Sequence, residues 1–548
     1  MKISTNLRRF ALLILTLGLS CGMLFAQGKT ITGKVSAEGE GPIPGVNVTV
    51  QGTVIGALTD ISGAYSIKVP GPTAVIVFSS IGYSTKQVIV GEQNVIDVIL
   101  QVDLTALQEV VVVGYGTRIK EQLTGAVSSV TEKELKVSSA PSTISRLQGF
   151  VSGVNITTSN VPGGEATIRI RGVGTINDPN PLYVIDGVPV GPGNNINPND
   201  IESISVLKDA SSAAIYGSRG ANGVILITTK KGTKNKMASV VFTARTGVKQ
   251  ATNQYNMLNT KEYGEALWLQ AKNLGTVGYS HPQYGSGATP VIPDYILPAG
   301  AKNGDPGTDP SLYSYPDYVI FKANKTGTNW YDEIYQNGLV QDYSLQVSGG
   351  GSNTTYSLSS SYYDEEGILK WTDFKRFNFR ITVEAAVTKW LKIGESVQGI
   401  FINQNGDFGN NGEGTAISMA YRMQPIIPVY DIGGNFAGTK APGMGNPGNP
   451  VAQLNRAQNN TGKWMRGMGT LFGEATIIKG LTVKSLFGYN LGIWNFKGYT
   501  IPTYEASEPN KVPGMWQDSN YSIFWNWVNT LNYTVTFSGV HKLSFVLG

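Results

Sequence analysis

Cysteine and histidine are almost missing from this chain, which has one Cys and two His among its 548 residues. One cysteine cannot build a disulfide framework, and two histidines without a cysteine cluster provide too few ligands for a zinc site. Charge is also sparse, with 15% charged residues and a net charge of +5. Three of those positive charges, Lys2, Arg8 and Arg9, lie in the first 26 residues, which contain no acid. The rest of the chain is close to neutral and lacks the basic surface that nucleic-acid binding requires.

Long apolar helical runs are lacking as well. Hydrophobic residues make up 41% of the chain, which is too many for a disordered protein, yet the mean hydropathy is only -0.07. This combination excludes a helical membrane protein. A transmembrane β-barrel stays compatible with it, because alternating strands average to neutral hydropathy.

The first 26 residues have the layout of a secretory signal peptide. A basic start is followed by an uncharged stretch from Phe10 to Ala26, and polar sequence begins at Gln27. A transmembrane anchor is one alternative, although a stretch of 17 residues that contains Gly18, Ser20 and Gly22 is short for a span. Lipid attachment at Cys21 is another, although the preceding Gly-Leu-Ser fits that motif poorly. We predict cleavage after Ala26, export of the protein and a mature chain without cysteine.

Residues 27–103 are predicted to form a small β-sandwich. Apolar and polar residues alternate over residues 46–50 and 65–69, which is the periodicity of half-buried strands. Between these runs, Asp60 and Gly63 indicate a tight turn, with the aspartate capping locally and the glycine in a strained conformation. The segment at residues 31–35 and this turn resemble the carboxypeptidase-regulatory-like domain. Because no metal-ligand spacing is present, we interpret the domain as a binding or spacer module.

A short acidic and valine-rich run, residues 109–116, separates this sandwich from the next domain. It begins with Glu109, Val110, Val111, Val112, Val113, Gly114 and Tyr115. Consecutive valines favour extended chain, and the glycines after them give the backbone freedom. The run is either an integral strand of a neighbouring domain or a detachable strand that adds to the sheet edge of another protein. Its residues alone do not separate these two interpretations.

Residues 117–234 mix helix and strand. The apolar spacing of residues 142–154 predicts a helix, with Ser142 or Thr143 as its N-cap. Residues 181–189 are predicted to form a strand closed by an Asp-Gly turn. Residues 201–214 are predicted to form a strand that leads into a helix, and a glycine-rich corner then opens a further strand.

Two stretches of this region carry a family resemblance. They are "PLYVIDGVPV" at residues 181–190 and "DIESISVLKDASSAAIYGSRGANGVILITTKKG" at residues 200–232. Both resemble the plug domain of SusC/RagA-type TonB-dependent outer-membrane transporters, a family that also places a sandwich domain before the plug. The resemblance implies that the segment from Glu109 to Tyr115 is the TonB-binding box, although four consecutive valines depart from the usual box. It also implies a glycan or oligopeptide substrate, with TonB and a SusD-like surface lipoprotein as partners.

The remaining residues, 235–548, are predicted to form part of an antiparallel transmembrane β-barrel. All nine tryptophans lie in this region, as expected for interfacial aromatic girdles. Over residues 521–537 the odd positions are almost all apolar and the even positions are mostly small or polar, and residues 376–387 repeat this pattern. We predict that the odd positions face lipid. A series of soluble β-sandwiches is the alternative, because alternation alone does not distinguish lipid from a protein core.

The connections between these strands are of two lengths. Short turns are predicted near residues 350–353, 388–389, 479–480 and 538–541, whereas residues 403–460 form a long connection rich in Gly, Asn and Pro. Short turns on one side and long loops on the other are typical of outer-membrane barrels. Only about nine strands fit before residue 548, compared with about 22 in large outer-membrane transporters. The sequence therefore predicts an incomplete barrel, from a truncated chain or a gene fragment.

Catalytic and metal-binding patterns are lacking. Residues 443–448 match a dinucleotide-binding expression, but they follow no predicted strand and contain a proline. His281 and His541 have no nucleophile or carboxylate partner by spacing and are predicted to lie on the surface. The acidic groups at residues 332–333 and 364–366 are predicted to be solvated loop carboxylates, with a Ca²⁺ site or a sugar contact as the alternative. We therefore predict no enzyme, no metal and no cofactor.

The predicted fold class is mainly β: a β-sandwich, a mixed α/β plug domain and part of a transmembrane antiparallel β-barrel. The leading functional hypothesis is active import of a nutrient too large for porins, in which TonB pulls on the segment at residues 109–115 and moves the plug. The alternative is a surface receptor, for adhesion or signalling, on the same scaffold.

Overall fold

The computed structural model describes most of the chain after residue 28, and the predicted signal peptide lies outside the described residues. The described residues are 29–37, 41–53, 55–80, 83–101, 110–113, 116–119, 127–138, 140, 142–159, 161–191, 196–252, 255–302, 304–407, 412–537 and 541–548. The chain divides into two compact units, with the division near residues 111–124.

The first unit contains the predicted sandwich, which is confirmed as two small sheets around one apolar core. Its strands are β1 (Lys29–Ala37), β2 (Gly41–Pro42), β3 (Asn47–Val50), β4 (Gly56–Leu58), β5 (Ala64–Val69), β6 (Val75–Ser79), β7 (Lys86–Ile89) and β8 (Val98–Leu100). One sheet joins β2, β1, β5 and β8, and the other has the order β4-β3-β6-β7. The tight turn is also confirmed: Asp60 Oδ1 accepts hydrogen bonds from the backbone N–H groups of Ser62 and Ala64, and Gly63 has a φ of 72°.

A separate two-stranded sheet lies between the sandwich and the plug domain along the chain. It consists of β9 (Val110–Val113) and β10 (Gly116–Ile119). Among the described residues, neither strand belongs to a sheet of either neighbouring domain.

The strands of the plug domain are β11 (Val127–Thr131), β12 (Val154–Thr157), β13 (Thr167–Ile170), β14 (Leu182–Ile185), β15 (Val188–Val190), β16 (Ile201–Leu207) and β17 (Val224–Thr229). Five of them form a mixed sheet with the order β11-β16-β17-β14-β15. Strands β14 and β17 run parallel, and β12 pairs with β13 in a hairpin of their own. The helical segments are short: Glu132–Leu135, Ala210–Ala213 and the 3-10 helices Ser145–Leu147, Pro198–Asp200 and Ala214–Gly220.

The helix predicted over residues 142–154 is wrong. Only Ser145–Leu147 is helical there, as a 3-10 turn, and β12 begins at Val154. Gly149 and Gly153 have φ values of 85° and 73°, which interrupt a right-handed helix. The apolar spacing arises because Ile144, Leu147 and Val151 pack in the core of the plug domain, whereas Phe150 is exposed.

The second unit also contains the strands β18 (Lys236–Lys249), β19 (Tyr295–Ile296), β20 (Phe321–Lys322), β21 (Gly338–Gly350), β22 (Thr354–Glu366), β23 (Asp373–Ala386), β24 (Leu391–Asn405), β25 (Thr461–Ile478), β26 (Leu481–Thr500), β27 (Gly514–Phe537) and β28 (His541–Leu547). Nine of them form an antiparallel sheet, called the wall here, with the order β18-β21-β22-β23-β24-β25-β26-β27-β28. Among the described residues, the other two, β19 and β20, pair only with each other. The prediction of about nine wall strands is confirmed among the described residues.

The predicted short turns agree with these bounds, with one adjustment. Residues 351–353 and 479–480 connect neighbouring strands as predicted. The turn predicted at residues 388–389 extends to Trp390, and the next strand begins at Leu391. Residues 538–540, in the fourth predicted turn, lie outside the described residues.

The two faces of the wall differ in the predicted way. On β27 the side chains of Tyr521, Ile523, Trp525 and Trp527 are all more than 60% exposed. On β23 the exposed Phe377 and Ile381 alternate with buried Arg376, Asn378 and Arg380. The outer face is therefore apolar, as a lipid-facing surface requires, and the polar inner face carries the plug domain.

Two long connections, residues 250–337 and 406–460, pack against each other around a shared apolar core and are called the loop layer. They contain the helices Thr260–Asn273, Trp330–Ile334, Ala416–Arg422 and Pro450–Ala457 and the 3-10 helix Pro310–Leu312. Asp332 and Glu333 thus lie in a short helix, not in the loop that the sequence predicted. No helix among the described residues is long and apolar enough to cross a membrane.

Candidate functional site: contacts between the plug domain and the wall

The predicted TonB-binding segment is described only in part. Val110, Val111, Val112 and Val113 form β9, whereas Glu109, Gly114 and Tyr115 lie outside the described residues. The extended backbone that the valines predicted is confirmed. The TonB-binding role of the segment stays a prediction.

The turn between β14 and β15 is the point where the plug domain reaches the wall. Asp186 and Gly187 have φ values of 48° and 89°, so both central residues adopt the left-handed conformation of a type I′ hairpin turn. Asp186 is fixed from its own domain, because its carboxylate accepts hydrogen bonds from the Thr229 backbone N–H (3.0 Å) and the Thr229 hydroxyl (2.7 Å). One carboxylate oxygen, Oδ2, also faces the wall.

Arg380, on β23, is the wall partner of Asp186. Its Nη2 lies 2.5 Å from Asp186 Oδ2, and the Arg380 side chain is only 7% exposed. The guanidinium also donates to Gln398 Oε1 (3.0 Å) and to Ser396 Oγ (2.7 Å), both on β24. The pair is therefore a buried ion pair held by additional hydrogen bonds on each side, which offset part of its desolvation cost.

A second ionic contact lies at the end of the plug domain, just after β17. Lys231 Nζ lies 2.7 Å from Glu384 Oε1 on the wall, and Lys392 Nζ lies 2.6 Å from the other carboxylate oxygen of Glu384. Burial lowers the pKa of Lys231, but the Glu384 carboxylate outweighs it, so the pKa of this amine is raised overall. One wall carboxylate thus holds a plug lysine and a wall lysine together.

A buried carboxyl group, Asp200, lies on the plug domain near the first of these contacts, within reach of the positive charge of Arg380. Burial raises its pKa, and this effect exceeds the opposing effects of a hydrogen bond from Ser359 and of the positive charges of Arg380 and Lys230. The neighbouring Asn199 donates from Nδ2 to Ser344 Oγ on the wall at 3.0 Å. The plug face toward the wall is therefore polar along much of its length.

A further contact between the plug domain and the wall involves Pro162 and Gly163, in the loop between β12 and β13. The Gly163 N–H donates to Glu365 Oε2 (3.2 Å), and Gln404 Nε2 donates to the Pro162 carbonyl (3.2 Å). Gly163 has a φ of 65°, and a Cβ there would lie 2.0 Å from the ring of Phe374. Only glycine permits this close approach of the loop to the wall.

Glu365 corrects one sequence-based prediction. The acidic group at residues 364–366 was expected to be solvated and in a loop, but these residues end β22, and Glu365 is 1% exposed. Its carboxylate pairs with Lys249 and accepts a hydrogen bond from the Tyr363 hydroxyl at 2.7 Å. Burial is possible because β18, two strands away in the wall, supplies the cation.

Apolar contact between plug and wall involves β25 and β26 as well as Phe374 of β23. Met468, Phe472 and Leu486 of the wall pack against the plug core. Val188 of β15 lies so close to Gly488 that a Cβ on that glycine would be 2.4 Å from a valine methyl group. The interface thus combines apolar contacts with ion pairs and hydrogen bonds.

The histidines and acidic residues form no metal centre among the described residues. His281 was predicted to lie on the surface and is instead buried in the loop layer, at 9% exposure. Its Nε2 lies 3.2 Å from the Gly443 carbonyl, its Nδ1 accepts from the Gln283 N–H at 3.2 Å, and its ring meets that of Tyr284 edge to face. The prediction failed because the two long connections fold against each other. The side chain of His541 lies outside the description.

Sequence reasoning placed Arg376 and Arg380 on the inner face but did not identify their role. The sequence signal was two arginines on one face of a strand whose other face is apolar. Alternation gives the face of a residue, whereas its partner depends on how the plug domain is docked. That docking is not encoded in the local pattern of either strand.

Comparison with known protein families agrees with this architecture. The model of the TonB-dependent receptor plug domain matches residues 119–224, and that of the CarboxypepD_reg-like domain matches residues 31–112. TonB-dependent receptor P3 of Formosa agariphila is 33% identical over 95% of this chain and 48% of its own length. TonB-dependent receptor SusC of Bacteroides thetaiotaomicron is 33% identical over 74% of this chain and 37% of its own length.

A solved structure of the RagAB peptide importer, in its open-open state, has the same fold. It aligns with a TM-score of 0.64 and 25% identity, over 80% of this chain and 48% of that one. The chain spans about half the length or less of the curated relatives it matches. The order of the two domains, the plug motifs and the wall together show that the chain belongs to the SusC/RagA-type family of TonB-dependent receptors.

Proposed function

We propose that this protein serves TonB-driven import across the outer membrane, with the plug domain as the movable gate. The observation that carries the proposal is the docking of the plug domain on the polar inner face of a sheet whose outer face is apolar. Such a sheet is suited to lipid on one side and a water-filled lumen on the other. A domain held on the lumen side blocks passage until it moves.

The Asp186–Arg380 and Lys231–Glu384 contacts can break and re-form as the plug domain moves. Both are ion pairs, and water can hydrate their charges once they separate. The plug domain keeps its own sheet and most of its own core when it shifts, and the apolar burial that it loses includes its contacts with Met468, Phe472 and Leu486. A pulling force applied at one end would separate these contacts one after another.

The segment that transmits this force is proposed to be residues 109–115. Among the described residues, β9 pairs with β10 alone, so one edge of the valine strand keeps its backbone N–H and C=O groups without a strand partner. An extended segment with a free edge is suited to strand addition by another protein, here TonB. The position between two domains allows this pairing without disruption of either sheet.

The cargo is proposed to be a nutrient too large for porins, either an oligosaccharide or an oligopeptide. The likeness to a peptide importer favours a transport role over a purely structural one. A SusD-like surface lipoprotein is the proposed partner on the outside, and removal of residues 1–26 on export is the proposed route to the outer membrane. No catalytic step is part of this proposal.

Uptake measured with and without TonB tests this function. Cells that make the protein receive labelled oligosaccharides and oligopeptides, and surface-bound label is separated from internal label. We expect internal label to disappear when TonB is deleted, with surface binding unchanged. Internal label that persists without TonB contradicts the proposal, as does surface binding without uptake in the presence of TonB, which is the behaviour of an adhesion or signalling receptor.

A further inference from the structure

A cavity of about 480 Å³ lies between the plug domain and strands β25, β26 and β27 of the wall. The plug contributes Arg219, Leu182 of β14 and residues 189–191 at the end of β15, and the wall contributes inward-facing residues of three neighbouring strands. None of the residues that line the cavity takes part in the polar contacts described above.

The strand register explains why the wall is open at this place. Arg466 of β25 is directly opposite Gly492 of β26, which is directly opposite Ser522 of β27. Gly492 has no side chain, so a gap remains between the arginine and the serine. A Cβ on Gly492 would lie 2.9 Å from Ser522 Oγ and 3.2 Å from the Trp494 ring, so these two groups form the sides of the gap.

Two further residues of β26 border the gap above and below. Trp494 and Asn490 are each two positions from Gly492, which places all three on the same face of the strand. An indole ring provides a flat apolar surface, and an amide provides one acceptor and two donors. The surroundings of the gap therefore combine stacking and hydrogen-bonding groups.

Arg219 and Arg466 give the cavity a positive charge. Arg219 is exposed on the plug side, and Arg466 is partly buried on the wall side. Neither forms an ion pair with a carboxylate among the described residues, although Glu165 attracts Arg466 electrostatically. This differs from Arg380, which has its carboxylate partner within 2.5 Å. The cavity thus presents two guanidinium groups, one on each side, to whatever enters it.

We propose that this cavity binds a carboxylate group of the imported cargo, so that the nutrient is an acidic oligomer rather than a neutral one. Guanidinium groups match the geometry of carboxylates, often with two parallel hydrogen bonds. Trp494 would stack on the sugar ring or side chain that bears the acid, and Asn490 and Ser522 would bind its hydroxyl or amide groups. This inference rests on the proposed import function, since it names the chemical class of the cargo.

Binding to isolated outer membranes tests the inference, because without an energy source no import takes place. The probes are two matched pairs: a hexagalacturonate and its methyl ester, and a hexaglutamate and a hexaglutamine. We expect at least one acidic probe to bind about tenfold or more tightly than its neutral counterpart. A preference in the sugar pair identifies an acidic oligosaccharide as the source of the carboxylate, and a preference in the peptide pair identifies an acidic oligopeptide.

Single substitutions then locate the site. We expect Arg466→Gln and Arg219→Gln each to reduce the affinity of the acidic probe toward that of its neutral counterpart, with the neutral affinity unchanged. Lys463→Gln removes the same charge from the same strand, but from an exposed position that does not line the cavity, and should change neither affinity.

Equal affinity of the acidic and neutral members of both pairs in the unsubstituted protein contradicts the inference. A loss of acidic-probe affinity in Lys463→Gln as large as that in Arg466→Gln also contradicts it. Because these measurements need no TonB, failure of import in cells with intact carboxylate binding would refute the proposed function and leave this inference standing. If the acidic probes are not preferred but TonB-dependent import is intact, this inference is refuted and the proposed function stands.

Discussion

Asp186 and Arg380, 194 positions apart in the sequence, form a buried ion pair between the plug domain and the wall, with 2.5 Å between Asp186 Oδ2 and Arg380 Nη2. The aspartate lies at the turn of a two-residue hairpin, and the arginine lies on the inner face of a long strand. Each partner is also hydrogen-bonded within its own domain. The pair therefore links the hairpin of the plug domain to the wall.

Removal of one member of this pair should destabilise the docked state. Arg380→Met leaves the Asp186 carboxylate buried without its cation, which costs about 3–5 kcal/mol in buried pairs. We expect a clearly lower midpoint of urea or thermal unfolding. The double variant Asp186→Asn with Arg380→Met removes both charges and should recover part of that loss, as a double-mutant cycle measures.

Lys325→Met is the control for this experiment. It breaks an ion pair with Asp294 in which both side chains are more than half exposed, so no measurable change in the unfolding midpoint is expected. A midpoint for Arg380→Met equal to that of the unsubstituted protein would show that the pair does not hold the plug domain.

The sequence predicted the elements of this interface better than the interface itself. The Asp-Gly turn and the inward position of Arg380 were both predicted from local patterns, because turn chemistry and two-residue periodicity are local properties. That Asp186 meets Arg380 was not predictable, since it depends on how two separately folded sheets dock. His281 and Glu365 were misassigned for the same reason: both are polar residues whose burial depends on partners distant in sequence.

The register of β27 places Ser522 and Trp525, three positions apart, on opposite faces of the wall. An arginine at each position should therefore affect the yield of inserted protein differently. Trp525 is 62% exposed on the outer face, near the middle of a 24-residue strand, and stacks on Phe487. Trp525→Arg should therefore place a charge in lipid at a cost of about 2–4 kcal/mol and lower the yield of inserted protein. Ser522→Arg directs the same charge toward the cavity on the inner face and should insert nearly normally.

Heat-modifiable folded protein in the outer membrane measures this yield for both variants. Ser522 is a better inward comparison than Asn526, whose amide atoms are fully buried beside Gly488. Equal yields for Trp525→Arg and Ser522→Arg would disprove the assignment of the outer face to lipid.

The stability of the loop layer should depend on pH through His281. Burial lowers the pKa of this imidazole from its ordinary 6.5, and the Gly443 carbonyl opposes that effect only in part. The folded state also needs the neutral ring, because Nδ1 accepts a hydrogen bond from Gln283 while Nε2 donates to Gly443. The unfolded segment therefore takes up a proton at a higher pH than the folded one. Stability is full above about pH 6.5 and falls as the pH drops toward the folded pKa.

Proteolysis of the loop layer at about pH 8 and about pH 5.5 checks this expectation, with cleavage faster at the lower pH. His281→Gln should remove most of the difference between the two rates, whereas His541→Gln should leave it unchanged. An unchanged pH effect in His281→Gln would assign the effect to other groups.

The central claim, that TonB pulls on the valine strand to move the plug domain, is tested most directly by Val111→Pro combined with Val113→Pro. Proline removes the backbone N–H donors that strand addition needs and fixes φ. Val111→Ile with Val113→Ile keeps both donors and the preference for extended chain and is the control.

Uptake, surface ligand binding and the amount of folded outer-membrane protein are measured together for both double variants. We expect the proline variant to lose uptake while its abundance and ligand binding stay near normal, and the isoleucine variant to behave as the parent. Normal uptake at normal abundance in the proline variant, or a loss of folded protein that accounts for the lost uptake, would contradict the account.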